Sequence, residues 1–264
     1  LNHISVRNDD GVAYLEAMSP VDCIFLDPAR RNEHGGKTVA ISDCEPNVAE
    51  LEGLLLSKAN RIMIKLSPML DLSQALKELP HTQEVHIISV NNECKELLLL
   101  LGQTAPEEIP VHCVNLSTKG EQEKQLFVFT REQEQHSECS YTDTLGNYLY
   151  EPNASLLKAG AFRSIAAAYS VKKLHPNSHL YTSDTQIEGF PGRTFRIINR
   201  CSLNKKEIKE NLSDLKKANI TVRNFPATVA ELRKRIKLAE GGDTYLFAST
   251  LNDGLKLLIR CGKV

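Results

Sequence analysis

Short apolar runs rich in β-branched and aromatic residues alternate with longer helix-like stretches through the first half of the chain. The runs are HISVR (3–7), VDCIFL (21–26), RIMIKL (61–66), EVHIISV (84–90) and KQLFVFT (124–130). Between them, VAELEGLLLSKA (48–59), DLSQALKEL (71–79) and NECKELLLLLG (92–102) read as helices. Asp71 can cap the second and Pro80 stops it, while Gly102 is a stop signal for the third. Strands that are continuously apolar, rather than alternating, are expected where helices cover both faces of parallel strands. The pattern therefore predicts a doubly wound, mostly parallel α/β layer over residues 1–130.

The second half has a different rhythm. REQEQHSECS (131–140) is polar and without period, and reads as a linker. Residues 141–195 read as a connecting module: one amphipathic helix over 151–170 with Pro152 in its first turn, then a loop in which Pro191-Gly192 fits a type II turn. From Phe195 the order becomes strand (195–201), helix (204–218), strand (220–225), helix (228–240), strand (244–250), turn at Asn252-Asp253-Gly254, strand (255–261). That βαβαββ series predicts a small α+β domain over 196–264.

Composition adds three constraints. Of 264 residues, 41% are hydrophobic and 25% charged, which fits a globular protein and argues against disorder. No apolar run is long enough to span a bilayer, and the opening LNHISVRNDDG lacks the parts of a signal peptide. Seven scattered cysteines, never in a C-x-x-C pair, suit reduced thiols in a cytoplasm and give no sign of a zinc site or any other metal.

Net charge changes the picture more. The total of −1 conceals a split: residues 196–264 carry 15 Lys and Arg against 7 Asp and Glu, and the preceding residues 17 against 26. A basic module attached to an acidic one is a footprint expected for RNA or DNA binding. A lysine-rich solvated helix face gives the same count. Lys205, Lys206, Lys209, Lys216 and Lys217 have helix-surface spacing, as do Arg233, Lys234, Arg235 and Lys237. Aromatic residues are sparse among them, so contact with a nucleic-acid backbone is a safer reading than base stacking.

Candidate chemistry concentrates after the run 21–26. Gly36-Lys37-Thr38 ends like a phosphate-binding loop, but position 31 holds Arg where the first glycine belongs. The residues after Lys37 are also β-like rather than helical, so a nucleoside-triphosphatase is rejected. Asp27-Pro28 stands directly after an apolar strand, where open α/β sheets bind ligands. There a carboxylate can accept hydrogen bonds from an amino group, or can simply cap a loop.

VDCIFLDPARR resembles motif IV of class I S-adenosylmethionine-dependent methyltransferases, the slot that holds Asp/Asn-Pro-Pro-Tyr/Phe/Trp in amino-methylating members. HISVRNDDGVAYL resembles the preceding strand and acidic position, and IKLSPMLDL (64–72) the following strand and loop. YLYEPNASLLKAGAF, YTSDT and GFPGRTF resemble bacterial methyltransferases carrying a THUMP-like C-terminal domain. The resemblance implies a partial Rossmann-like methyltransferase sheet followed by a THUMP-like or ferredoxin-like module, with S-adenosylmethionine as methyl donor and RNA as acceptor. It assigns Asp27 and Pro28 to the acceptor, and Asp10, Gly11 and Asp27 to the donor. Arg30, Arg31 and Lys37 fall to substrate phosphates, with Arg30 also able to stack on a base. Lys65, Ser67 and Pro68 would line the same crevice or merely pack a turn. Arg193 is an RNA contact or, preferably, an interface salt bridge.

Two departures stand out. Motif IV lacks its aromatic residue, and the glycine-rich first motif is missing. The family's strand order is 3-2-1-4-5-7-6, and this chain is expected to keep only strands 3 to 7. Strand 21–26 then becomes an apolar edge, capped by residues 1–8 or by another chain through dimerisation or strand exchange. The chain by itself is expected to be inactive. Two rivals stay open: an RNA-binding or docking module without catalysis, and a fold retained after methyl transfer was lost.

Overall fold

In the computed structural model, residues 3–30, 40–118 and 124–264 are described. They form two units, 1–131 and 132–264.

The first unit begins with α1 (Gly11–Ala17) and β1 (Val21–Leu26). A two-residue ladder follows, β2 (Ala29–Arg30) against β3 (Cys44–Glu45). Next come α2 (Val48–Lys58), β4 (Ala59–Leu66), α3 (Leu72–Glu78), β5 (Thr82–Val90), β6 (Glu93–Leu101), β7 (Pro110–Leu116) and β8 (Lys124–Thr130). Six of the strands form one sheet in the order β1-β4-β6-β5-β7-β8. β1 and β4 are parallel, as are β5 and β7; β6 lies antiparallel between β4 and β5, and β8 antiparallel to β7. Four of the six strands thus share one direction, but three of the five pairings are antiparallel, so the layer is mixed. Side-chain caps start the two crossover helices: Asn47 accepts from the Ala49 amide on α2, and Asp71 from the Gln74 amide on α3.

Three expectations for this unit are corrected. NECKELLLLLG is strand β6 and not a helix. Asn91 and Asn92 both take positive φ, 50° and 64°, which makes a two-residue hairpin turn whose twist suits the flanking strands. Leu97, Leu99 and Leu101 are then fully buried on one face. The helix preference of Glu, Lys and Leu amounts to tenths of a kcal/mol per residue, far below the ~1.5–3 kcal/mol gained on burying each leucine. Second, the expected order 4-5-7-6 is kept as β1-β4-β6-β5, but the chain does not stop at those strands: β7 and β8 extend the far edge.

Third, HISVR is not a strand. Ile4 and Val6 are exposed at 63% and 90%, and the guanidinium of Arg7 lies 4.9 Å from the centre of the Tyr14 ring. Among the described residues β1 pairs with β4 alone, so residues 3–8 do not cap it. β1 is consequently much less covered than its apolar sequence suggests, and Phe25 is 57% exposed.

The second unit contains α4 (Arg131–His136), β9 (Tyr148–Pro152), α5 (Ala154–Ala159), α6 (Phe162–Tyr169), β10 (Lys172–Lys173), β11 (Tyr181–Ser183), β12 (Gly192–Cys201), α7 (Lys205–Leu212), β13 (Asn219–Arg223), α8 (Val229–Ile236), β14 (Thr244–Thr250) and β15 (Lys256–Lys263). Its seven strands form a single sheet, β10-β11-β9-β12-β15-β14-β13. The βαβαββ series over 196–264 is as the sequence indicates. The single helix expected over 151–170 is instead β9 and two short helices. Asn153 caps the first of these, and Gly160 at φ 75° ends it.

The stretch read as a linker, 131–140, carries α4. Glu134 on α4 accepts from the amides of Phe162, Arg163 and Ser164 and from the Ser164 hydroxyl, closing the N-terminus of α6. One apolar cluster of the sheet gathers Leu149, Phe195, Phe247 and Ile259; another lies under α7 and α8 around Leu212, Leu232, Leu246 and Leu258.

Candidate functional site

β1 and β4 run parallel in a fixed register, Leu26 beside Ile64. The next residue of each strand is ionisable, and the two meet: Lys65 Nζ lies 2.6 Å from Asp27 Oδ2. The hydrogen bond to Asp27 holds the Lys65 ammonium above the usual lysine range, against a smaller opposing effect of burial. The Asp27 side chain remains 52% exposed.

Both residues line a cavity of about 220 Å³ at the carboxyl ends of the two strands. Pro28, Cys44, Leu66, Ser67, Pro68, Lys95 and Glu96 complete its wall. The structure therefore brings Asp27, Pro28, Lys65, Ser67 and Pro68 together. Lys95 and Glu96 escaped the sequence reading because their segment was taken for a helix. The Asn91-Asn92 pair between two apolar runs was the signal of the hairpin that places them.

Asp10 and Gly11 lie outside this wall. Asp10 Oδ1 accepts from the amides of Val12 and Ala13 at 3.0 and 2.8 Å and so caps α1. Arg30 contributes its backbone to β2, and Arg31 and Lys37 lie outside the described residues.

In the second unit Lys205, Lys206 and Lys209 are exposed on α7, and Lys234 is exposed on α8. Arg233 and Arg235 are engaged locally, donating to the carbonyls of Ala218 and Leu203. Arg193 is committed as well: its guanidinium pairs with the buried Glu151 and sits 5.4 Å from the centre of the Phe195 ring. It is a salt bridge within the sheet rather than a free cation. No helix of the described residues is long and apolar enough to cross a membrane.

Taken together, a mixed α/β unit with a polar cavity at its strand ends precedes a C-terminal half made of a ferredoxin-like and a THUMP-like domain. Residues 148–191 match the ferredoxin-like domain family and residues 192–263 the THUMP domain-like family. The chain is similar to the crystal structure of a "putative methyltransferase from Porphyromonas gingivalis W83", with 40% sequence identity and a TM-score of 0.82. That similarity covers 92% of this chain and 60% of the other, so this chain spans about three fifths of that protein's length. Among curated proteins none matches the chain.

Proposed function

We propose that this chain supplies the acceptor side and the RNA-binding end of an S-adenosylmethionine-dependent methyltransferase that acts on RNA. One observation carries the reading: Asp27, oriented by Lys65, stands half-exposed in a cavity at the carboxyl ends of adjacent parallel strands. Ligands of open α/β sheets bind at that end. The match of 192–263 to a THUMP-like family and the excess of basic residues there support RNA as the acceptor.

The described residues fit the donor only in part. Ligand pockets commonly enclose about 300–1,000 Å³, more than this cavity. Asp10, assigned to the donor by resemblance, is spent on a helix cap. What these residues can do concerns the acceptor. The Asp27 carboxylate keeps lone pairs for the N–H of a base amino group, which would hold the acceptor nitrogen in line for attack. Pro28 stiffens the turn beside it. Lys65 fixes the carboxylate from the neighbouring strand.

A second reading, RNA binding without catalysis, draws on the same basic module. Calorimetry with S-adenosylmethionine, on this chain and on a version extended at its amino end, separates the two. Binding by the extended version is expected; no binding by either leaves only the RNA-binding reading. Comparing modified nucleosides from cells with and without the gene then identifies the acceptor atom.

A further inference from the structure

On β5, Glu84 and His86 are two residues apart and project from the same face of the sheet. The parallel register sets His112 of β7 directly beside His86. The two imidazoles stack at 4.4 Å between centroids and 9° between planes. Both point their Nε2 atoms at one carboxylate oxygen: Glu84 Oε2 lies 3.1 Å from His86 and 3.9 Å from His112. Ligand atoms of all three residues lie within 4.8 Å of one another.

We propose that Glu84, His86 and His112 form a binding site for a divalent d-block cation of the zinc class. Two imidazole nitrogens and one carboxylate oxygen are a donor set that such ions take, with a further position left for water or another ligand. Calcium and magnesium prefer all-oxygen sets and are disfavoured. The surroundings suit a metal as well. In the pairing register Leu98 and Leu100 of β6 flank His86 and Glu84, and Val128 of β8 flanks His112. These neighbours cover the three side chains only in part, Val128 being 44% and Glu84 45% exposed, so an ion and its further ligand can enter from solvent. Closing on an ion requires the parallel rings to tilt toward a common point, so metal binding should break their stack. The site contains no cysteine, which is why cysteine spacing gave no hint of it, and it stands independently of the methyltransferase reading.

The test uses the tag-free chain, stripped with chelator and with its thiols alkylated, titrated with Zn²⁺ by calorimetry and with Co²⁺ by visible absorption. One equivalent of each metal should bind, and Co²⁺ should develop d–d bands. His86→Ala and His112→Ala should each weaken Zn²⁺ by more than the ~10–100-fold lost when an outer-shell partner is removed. Glu84→Ala, a change at a 45% exposed side chain that the fold should tolerate, should weaken it too. Absence of stoichiometric Zn²⁺ uptake by the unsubstituted chain would overturn the proposal, whatever the variants do. So would uptake undiminished in folded Glu84→Ala and in a folded His86→Ala/His112→Ala double variant.

Discussion

Arg223, at the end of β13, donates to Glu151 Oε1 at 2.9 Å although three strands separate β13 from β9 in the sheet order. Arg193 on β12 holds the other oxygen of the same carboxylate. Glu151 is 2% exposed and each arginine 37%. Breaking a fully buried pair costs roughly 3–5 kcal/mol; with the guanidiniums partly solvated, Glu151→Ala should cost about 2–3 kcal/mol. Chemical denaturation of residues 132–264 within the full chain measures it. A loss under about 0.5 kcal/mol, the level of an ordinary surface substitution, would show that the clamp does not stabilise the sheet.

Glu134 performs at α6 what a serine or aspartate cap does elsewhere, from a distant point in the chain. Glu134→Ala should lower stability by about 1–2 kcal/mol. Glu134→Gln, which retains one acceptor oxygen, should recover part of that loss. Thermal melts of the two variants provide the comparison.

His179 packs its ring on Phe162 at 3.7 Å between centroids. Burial, reinforced by the positive charges of Lys173 and Arg223, pushes its pKa down to about 4. The unfolded chain then takes up this proton before the folded one does. Stability from the neutral ring is complete above the ordinary histidine value and falls away as pH drops from there through about 4. His179→Gln should flatten that part of the stability-versus-pH curve, as denaturation midpoints across the range would reveal.

Asp27→Asn tests the cavity. The Asp27–Lys65 pair is open to solvent and screened by it, so folding should be almost unaffected. In an active, extended protein, methyl transfer should fall by roughly 10²–10³-fold, the scale for losing one positioned polar group at a reacting centre. Transfer of labelled methyl groups to RNA is the measurement, and an unchanged rate would remove Asp27 from the acceptor site.

Lys205, Lys206 and Lys209 provide a test by salt. If they face RNA phosphates, reversing one to glutamate should weaken binding similarly across sequences. It should also reduce the slope of log affinity against log salt by about 1. Arg233→Ala should instead act on stability, because its guanidinium is tied to the Ala218 carbonyl.

Much of this was legible in the residues. The Asp27-Pro28 turn, the following Lys65–Pro68 segment and the βαβαββ order could be read because strand ends, turn residues and helix spacing are local signals. What failed was non-local. Whether a leucine run folds as helix or hairpin depends on which faces neighbouring strands bury, and the positive-φ asparagines settled it. HISVR had the composition of a strand, yet among the described residues it pairs with none, even though β1 keeps an open edge. Glu134 and Glu151 act across long sequence separations, and no spacing rule links them to Ser164 or Arg223. The His86–His112 pair could be found only once the register of β5 and β7 was known.

β12 has one further consequence. Its first residues, Gly192–Arg196, hydrogen-bond to β9, while Phe195–Cys201 hydrogen-bond to β15. The boundary between the ferredoxin-like and THUMP-like matches falls at the start of this one strand. Two families recognisable as separate sequences therefore share one continuous sheet here. Cutting the chain at their junction would strip each fragment of a hydrogen-bonded neighbour, and the two should melt in a single cooperative step.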